Sequence, residues 1–250
     1  MNAVQNKKWK RMLAEAAVIV VGILLAFSID AWWDENRRSQ DERALMRALV
    51  EDLQDKKAKV EEGRRFNEAI AVAATELIRI GIEQDSIVEE DKIDRLIADT
   101  WWYNSGGGWE SAPMALLFSG GAASLSDPVL VQKLAKLRVE ITRAQNFWKL
   151  DEDFHHNTYT PYLIANAYMP QLTNRTEHQP GVPEFPYVFP RFVLEHRKSH
   201  LALVRSEEFQ NMMIAKLDRI QDILQNAVLS LDKDMDEAIE LLNEDLADLN

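Results

Sequence analysis

The chain has 250 residues, of which 29 are basic, 41 acidic and none is cysteine, giving a formal net charge of −12. The lack of thiols excludes disulfides, thiolate metal sites and cysteine nucleophiles. Beyond residue 33, 25 basic side chains stand against 39 acidic ones. This acidic balance argues against nucleic acid as a partner.

The first predicted element is an N-terminal membrane span. Residues 13–33, LAEAAVIVVGILLAFSIDAWW, form the one segment of the sequence that is long and apolar enough to cross a bilayer. As a helix it would reach about 31 Å, close to a hydrocarbon core of about 30 Å. Trp32 and Trp33 fit an interfacial aromatic belt. The sequence therefore predicts a transmembrane helix, with the lipid bilayer as a partner.

The charges that flank this segment predict its orientation. Residues 1–12 form a basic tail, whose charges are Lys7, Lys8, Lys10 and Arg11. The positive-inside rule places this tail in the cytoplasm and the main domain in the periplasm, across a bacterial inner (cytoplasmic) membrane. The competing interpretation is a cleaved signal peptide, because Ala26-Phe27-Ser28 fits the small-x-small cleavage pattern. Cleavage would leave a free periplasmic protein.

One face of the predicted span suits contact with another helix. Gly22 and Ala26 form a small-xxx-small pair, and Asp30 continues the same i, i+4 line. Asp30 could accept a hydrogen bond from a neighbouring membrane helix, or it could extend its carboxylate to the interface. Other membrane-protein subunits are therefore expected partners of this face.

Helical periodicity continues beyond the span. It predicts that residues 34–81 form a long juxtamembrane helix, with Gly63 as the place for a bend. It also predicts that residues 82–250 form a helical extracytoplasmic domain. Asp127-Pro128 is a strong helix start, with the aspartate as N-cap. Residues 160–200 contain six prolines and predict an irregular segment with short helical turns.

The C-terminal segment, residues 206–249, is the clearest predicted helix. Ser206 stands at its N-cap position, and the apolar residues that follow recur at 3/4 spacing. This stripe packs within its own domain or pairs with a second copy, so a homo-oligomer stays an open alternative. The predicted fold class is mainly α, with one N-terminal transmembrane helix that continues into a long helix, an extramembrane helical bundle and a proline-rich irregular loop.

The N-terminal third resembles a known group of proteins. The string VVGILLAFSIDAWWDENRRSQDERALMRALVEDL, residues 20–53, resembles an uncharacterised family of bacterial single-pass membrane proteins, in which a tryptophan and an acidic pair follow the membrane helix. The resemblance recurs in residues 111–137, where a short helix ends in Ser-Gly before the next helix begins. It implies an anchored helical protein, and no activity or catalytic residue comes with it.

The sequence contains only weak candidates for catalytic and metal-binding motifs. Asp151 and His155 are four residues apart on one helix face, and His196 and His200 repeat that spacing without the glutamate of a metalloprotease helix. Residues 106–108, three glycines, lack the Lys-Ser/Thr of a phosphate loop, and Ser119 lacks the glycine that a nucleophile elbow requires. We therefore expect no enzyme activity, no resident metal and no cofactor.

Two aromatic groups are candidates for docking a partner, although core packing is an alternative for both. Large aromatic side chains often anchor interfaces. The first group surrounds the glycines of residues 106–108 and consists of Trp101, Trp102 and Trp109. The second group lies in the proline-rich segment and consists of Phe185, Tyr187, Phe189 and Phe192.

These patterns predict a non-enzymatic, membrane-anchored accessory or structural subunit that docks onto a larger bacterial membrane assembly, such as a respiratory or photosynthetic complex. The alternative is an extracytoplasmic sensor or ligand-binding module that acts through a signalling partner, because only about twelve residues would remain on the cytoplasmic side.

Overall fold

A computed structural model describes residues 3–83, 87–103, 111–121, 125–173 and 198–248; the side chains of residues 3–17, 120 and 121 lie outside this description. The described part is mainly α-helical and contains no β-strand. The prediction of a mainly α fold with a helical bundle is confirmed.

Three long helical rods dominate the fold. The helices are α1 (Ala3–Ile82), α2 (Glu90–Thr100), α3 (Ala112–Leu116), α4 (Pro128–Phe154), α5 (Thr160–Asn166), α6 (Met169–Thr173), α7 (Leu201–Val204), α8 (Glu207–Asp222) and α9 (Leu229–Asp248). A π-helical turn, His155–Tyr159, joins α4 to α5, and another, Ile223–Val228, joins α8 to α9. A third π-helical turn, Leu117–Gly121, follows α3. The rods are therefore α1, residues 128–166 and residues 207–248.

The helix starts follow the local sequence. The carboxylate of Asp127 accepts hydrogen bonds from the backbone N–H groups of Val129 and Leu130, at 2.8 and 3.3 Å, and Pro128 occupies the first helical position. The Ser206 hydroxyl accepts from the backbone N–H of Phe209 at 3.3 Å. Both predicted N-caps are thus present. Helix α1 runs through Gly63 as one continuous helix, because the residues on both sides keep their packed apolar stripe.

The C-terminal rod packs against the other two rods and runs antiparallel to both. The side-chain amide of Gln210 donates to the carbonyl of Leu77 at 3.2 Å, whereas Lys57, earlier in α1, pairs with Asp236, later in the rod. Against α4, Lys133 pairs with Asp234 at 3.0 Å, and Asp151 faces Lys216 at the other end. The bundle is built around residues 207–248.

The interior contains two separate hydrophobic clusters along the rods. The proximal core, nearer to the N-terminal apolar segment, is formed by α1 from Leu45 to Val60, by α4 up to Trp148, and by the C-terminal rod from Ile223 onward, with Met114 and Leu117 added from the α3 region. The distal core is formed by α1 from Ala74 to Ile80, by α2, by Phe154 at the end of α4 and Tyr159 of the π-helical turn after it, and by α5, α6, α7 and the first half of α8. The two clusters are separated along α4 and α8.

The N-terminal part of α1 extends beyond the bundle. From Val18 to Trp33 its large apolar side chains are all between 51% and 72% exposed, and burial against the bundle begins at Glu42. The predicted span begins at residue 13, and the side chains of residues 13–17 are outside the described part. In the part of the chain that the structure describes, no helix combines the length and apolar character needed to cross a membrane.

Candidate functional site

The residues predicted to contact other membrane helices lie on the free part of α1. Gly22, Ala26 and Asp30 are exposed, and their spacing places them on one side of the helix. Apart from the backbone of its own helix and its two chain neighbours, no heavy atom of the described residues lies within 4 Å of the position that a Cβ would take at Gly22. Trp32 and Trp33 are 65% and 62% exposed. This surface is available to lipid or to another helix.

A buried polar layer lies between the two cores. Along α4, Asp151 stands between Trp148 of the proximal core and Phe154 of the distal core. Along the C-terminal rod, Lys216 stands between Met213 of the distal core and Ile223 of the proximal core. We call Asp151, His155, Tyr159, Thr100 and Lys216 the polar layer; all five side chains are buried.

The central pair of the layer is poorly hydrogen-bonded. Asp151 is 1% exposed and Lys216 is 0% exposed, and the carboxylate oxygen and the ammonium nitrogen are 3.8 Å apart. Among the described residues, neither oxygen of Asp151 has a hydrogen-bond partner. The ammonium of Lys216 donates to the backbone carbonyl of Trp102 at 3.1 Å and lies 5.6 Å from the ring centre of Tyr159. A buried charge normally requires a close, fully hydrogen-bonded partner, so this pair is destabilising by itself.

The π-helical turn His155–Tyr159 places two further polar groups in the layer. The Nε2 atom of His155 is 3.0 Å from the hydroxyl of Thr160, whereas its buried Nδ1 atom has no hydrogen-bond partner in the part of the chain that the structure describes. The hydroxyl of Tyr159 is 2.7 Å from that of Thr100, which in turn donates to the carbonyl of Ile97. Such π-helical turns occur frequently at functional sites.

Burial controls the electrostatics of the layer. It raises the pKa of Asp151, against the opposing effect of the Lys216 and Arg219 charges. It lowers the pKa of Lys216, which the charge of Asp151 partly offsets. Burial, with a smaller effect of the Lys216 charge, lowers the pKa of His155 to about 4. Burial also raises the pKa of Tyr159. Each group is thus driven toward its neutral form.

His200 belongs to a different buried cluster, in the distal core. Its Nδ1 atom is 2.8 Å from a carboxylate oxygen of Asp94, and its Nε2 atom accepts from the backbone N–H of Tyr168 at 2.9 Å. Because a backbone N–H can only donate, Nε2 carries no proton and Nδ1–H donates to Asp94. Gln171 donates to the second oxygen of Asp94. Both ring nitrogens of His200 are therefore occupied.

The predicted metal candidates do not assemble into one site. Asp151 and His155 share the polar layer, His200 is paired with Asp94, and His196 lies outside the described residues. Among the described residues, no group of three or more histidine, aspartate or glutamate side chains could hold a metal ion.

Of the predicted docking aromatics, Trp101 and Trp102 are half-buried, and Trp101 packs against the distal core. The indole N–H of Trp101 donates to the Thr160 hydroxyl at 3.0 Å, and the two indole rings are 6.3 Å apart. The remaining candidates lie outside the described residues; they are Trp109, Phe185, Tyr187, Phe189 and Phe192.

Lys216 is the main residue that the sequence analysis missed. It lies three residues after Met213 and four before Ile220, which is the spacing of the buried stripe, while its apolar neighbour Leu217 is only half-buried. The signal in the sequence was a lysine at a position of the apolar stripe, where an apolar residue is expected.

No protein-family model, curated protein or solved structure matches this chain.

Proposed function

We propose that this chain is a non-enzymatic accessory subunit that is anchored in the inner (cytoplasmic) membrane of a bacterium by residues 13–33. In this proposal the subunit docks onto and stabilises a larger membrane-protein assembly, for example a respiratory or photosynthetic complex. The basic tail lies in the cytoplasm, and the acidic helical domain lies in the periplasm.

One observation carries the proposal. The apolar side chains between Val18 and Trp33 point to all sides of α1, and the bundle leaves all the large ones more than half exposed. A helix that is apolar all around requires an apolar environment, either a protein interior or a bilayer. The described bundle does not cover these residues, so a membrane, with a partner helix in it, is the environment that suits them.

The charge distribution supports a docked position. Acidic side chains dominate beyond the apolar segment, which disfavours binding of the domain to anionic lipid and suits a basic protein partner. The face of Gly22 and Ala26 allows close approach of a second membrane helix. The sequence also lacks a phosphate loop and a nucleophile elbow, which supports a role without catalysis.

Co-purification tests the proposal. A tagged full chain, extracted from native membranes with a mild detergent, should elute with other membrane subunits, far above the 28.7 kDa of the single chain. Elution as a solitary monomer would contradict the proposal.

A matched pair of variants tests the docking face. The double change Gly22→Leu and Ala26→Leu fills the small-residue face and should reduce the co-purified subunits at least tenfold, while the chain stays in the membrane. The control, Ile23→Leu and Phe27→Leu, changes apolar side chains on a neighbouring face and should retain the partners. Equal loss in both variants would argue against this face.

The alternative function is an extracytoplasmic sensor or ligand-binding module that acts through a signalling partner. The observation that favours it is the polar layer, because its unpartnered buried atoms on Asp151 and His155 suit a polar ligand. If it is correct, millimolar amino acids or sugars should raise the melting temperature of the wild-type chain and not of D151N. No shift with any compound of such a panel would disfavour the sensor.

A further inference from the structure

The position of the polar layer suggests a coupling role. Asp151 and Lys216 form a polar contact between α4 and α8, and they do so where the proximal core ends and the distal core begins. A change at this contact would alter the packing of one half of the bundle on the other, because both rods continue into both cores. The layer is therefore a junction between two separately packed regions.

The buried polar atoms of Asp151 and His155 that lack hydrogen bonds could bond to each other through one added proton. Asp151 and His155 are one helical turn apart on the same face. Both carry buried atoms that find no hydrogen-bond partner among the residues that the structure describes: two carboxylate oxygens and one ring nitrogen. Buried polar atoms of this kind are rare in proteins and call for a specific explanation. One additional proton would satisfy an atom of each residue, because a protonated carboxyl donates one hydrogen bond and an unprotonated Nδ1 accepts one.

Few charged groups of the described residues act on Asp151 and His155. The charges that act on Asp151 come from Lys216 and Arg219, both on α8. Those that act on His155 come from Lys216 and from its neighbour His156. Helix α1 contributes the uncharged Ala74 and Leu77 to the adjoining core, and Tyr103, Tyr159 and Thr100 contribute neutral groups. The two cations favour the ionised carboxylate, and burial, which has the larger effect on its pKa, opposes them.

We propose that Asp151 and His155 form a proton-binding site that switches the contact between α4 and α8. On acidification, Asp151 takes up a proton from solvent, its O–H group donates to Nδ1 of His155, and the ion pair with Lys216 is lost. The Nε2–H group of His155 then donates to Thr160, which lies at hydrogen-bond distance. The two rods lose their polar contact at the junction of the cores, so the packing of the bundle becomes responsive to pH.

The direction of the pH effect follows from the burial of Asp151. Its pKa is raised above the ordinary value of 3.8, so the folded chain binds a proton that the unfolded chain has already released over the pH range between these two values. The free energy of unfolding that this group contributes therefore falls as the pH rises through that range. This site does not depend on the membrane anchor, so its failure would leave the proposed accessory function untouched.

Infrared difference spectroscopy on the full chain in detergent tests the site. Between about pH 8 and about pH 4, the wild-type chain should gain the C=O stretch of a protonated, buried carboxyl, with a midpoint above the ordinary value for aspartate. The isosteric D151N variant should lack this band. K216M should raise the midpoint by about one pH unit or more, because the cation that favours the ionised form is gone. H155L should lower it, because the acceptor for the O–H group is lost.

The matched control is D99N, since partial desolvation also raises the pKa of Asp99, an exposed residue of α2 that lies outside the layer. D99N should leave the band of Asp151 and its midpoint unchanged. The proposal is overturned if the wild-type chain shows no such band, if the band persists in D151N, or if its midpoint is the same in H155L and the wild type. K216M and H155L keep Asp151, so the midpoint measurement remains decisive should D151N fail to fold.

Discussion

The double variant V21R/L25R should leave the membrane fraction, while the wild-type chain should stay in it. Both side chains lie in the apolar part of α1 and are more than half exposed. In the proposed arrangement they lie within the bilayer, where each arginine costs about 2.5–3.5 kcal/mol. Two arginines cost about 5–7 kcal/mol, which corresponds to roughly four orders of magnitude in the partition between membrane and water.

Carbonate washing of membranes followed by quantification of the chain in pellet and supernatant measures this partition. The control is V72R, because Val72 is a 70% exposed valine on the same helix within the bundle, and arginine there should have no effect on the pellet fraction. A wild-type chain that washes off, or a V21R/L25R chain that stays as firmly bound as the control, would contradict the anchor.

K216M should lower the free energy of unfolding by about 3–5 kcal/mol. Methionine has nearly the shape of lysine without the charge, so the change leaves Asp151 buried with no cation at 3.8 Å and two oxygens without hydrogen bonds. The double variant D151L/K216M should recover the stability of the wild type or exceed it by about 1–4 kcal/mol, because apolar side chains of similar volume avoid the desolvation of both charges.

Denaturant unfolding of the full chain in detergent, followed by circular dichroism, measures both values. The control is K233M: the Lys233 side chain is 77% exposed and 3.8 Å from Glu237, and its loss should change the free energy by less than about 0.5 kcal/mol. If K216M matches the control, or if the double variant is as unstable as the single one, the layer does not hold a buried ion pair of the kind described.

Sequence signals that act within a few residues predicted the helix starts well. The cap of Asp127 with Pro128 at the first helical position, and the cap of Ser206, depend on neighbours within one turn, and both form as predicted. Helix α2 ends at Thr100, although the next glycine in the sequence is Gly106. Contacts with distant residues decide that end, because the carbonyl of Trp102 accepts from Lys216 and the indole of Trp101 donates to Thr160.

The candidate site was predicted only in part. The i, i+4 pair of Asp151 and His155 was visible in the sequence, and the metal chemistry considered for it requires further ligands, which the described residues do not bring there. The pairing of His200 with Asp94 was not visible, because α2 and α7 are far apart in the chain and meet only through packing. Spacing along one helix cannot reveal a partner on another.

The amino-acid sequence by itself determined the helical character of this protein, the starts of its main helices and the apolar segment near its N-terminus. These features depend on periodicity, capping and composition, which act within a few residues. Only the tertiary structure decided that Lys216, and not Leu217, faces the interior, and that its ammonium meets Asp151 between two cores. The 3/4 pattern predicts which residues of a helix face the interior only to within about one residue. The rods that pack on either side of the helix decide which residues these are.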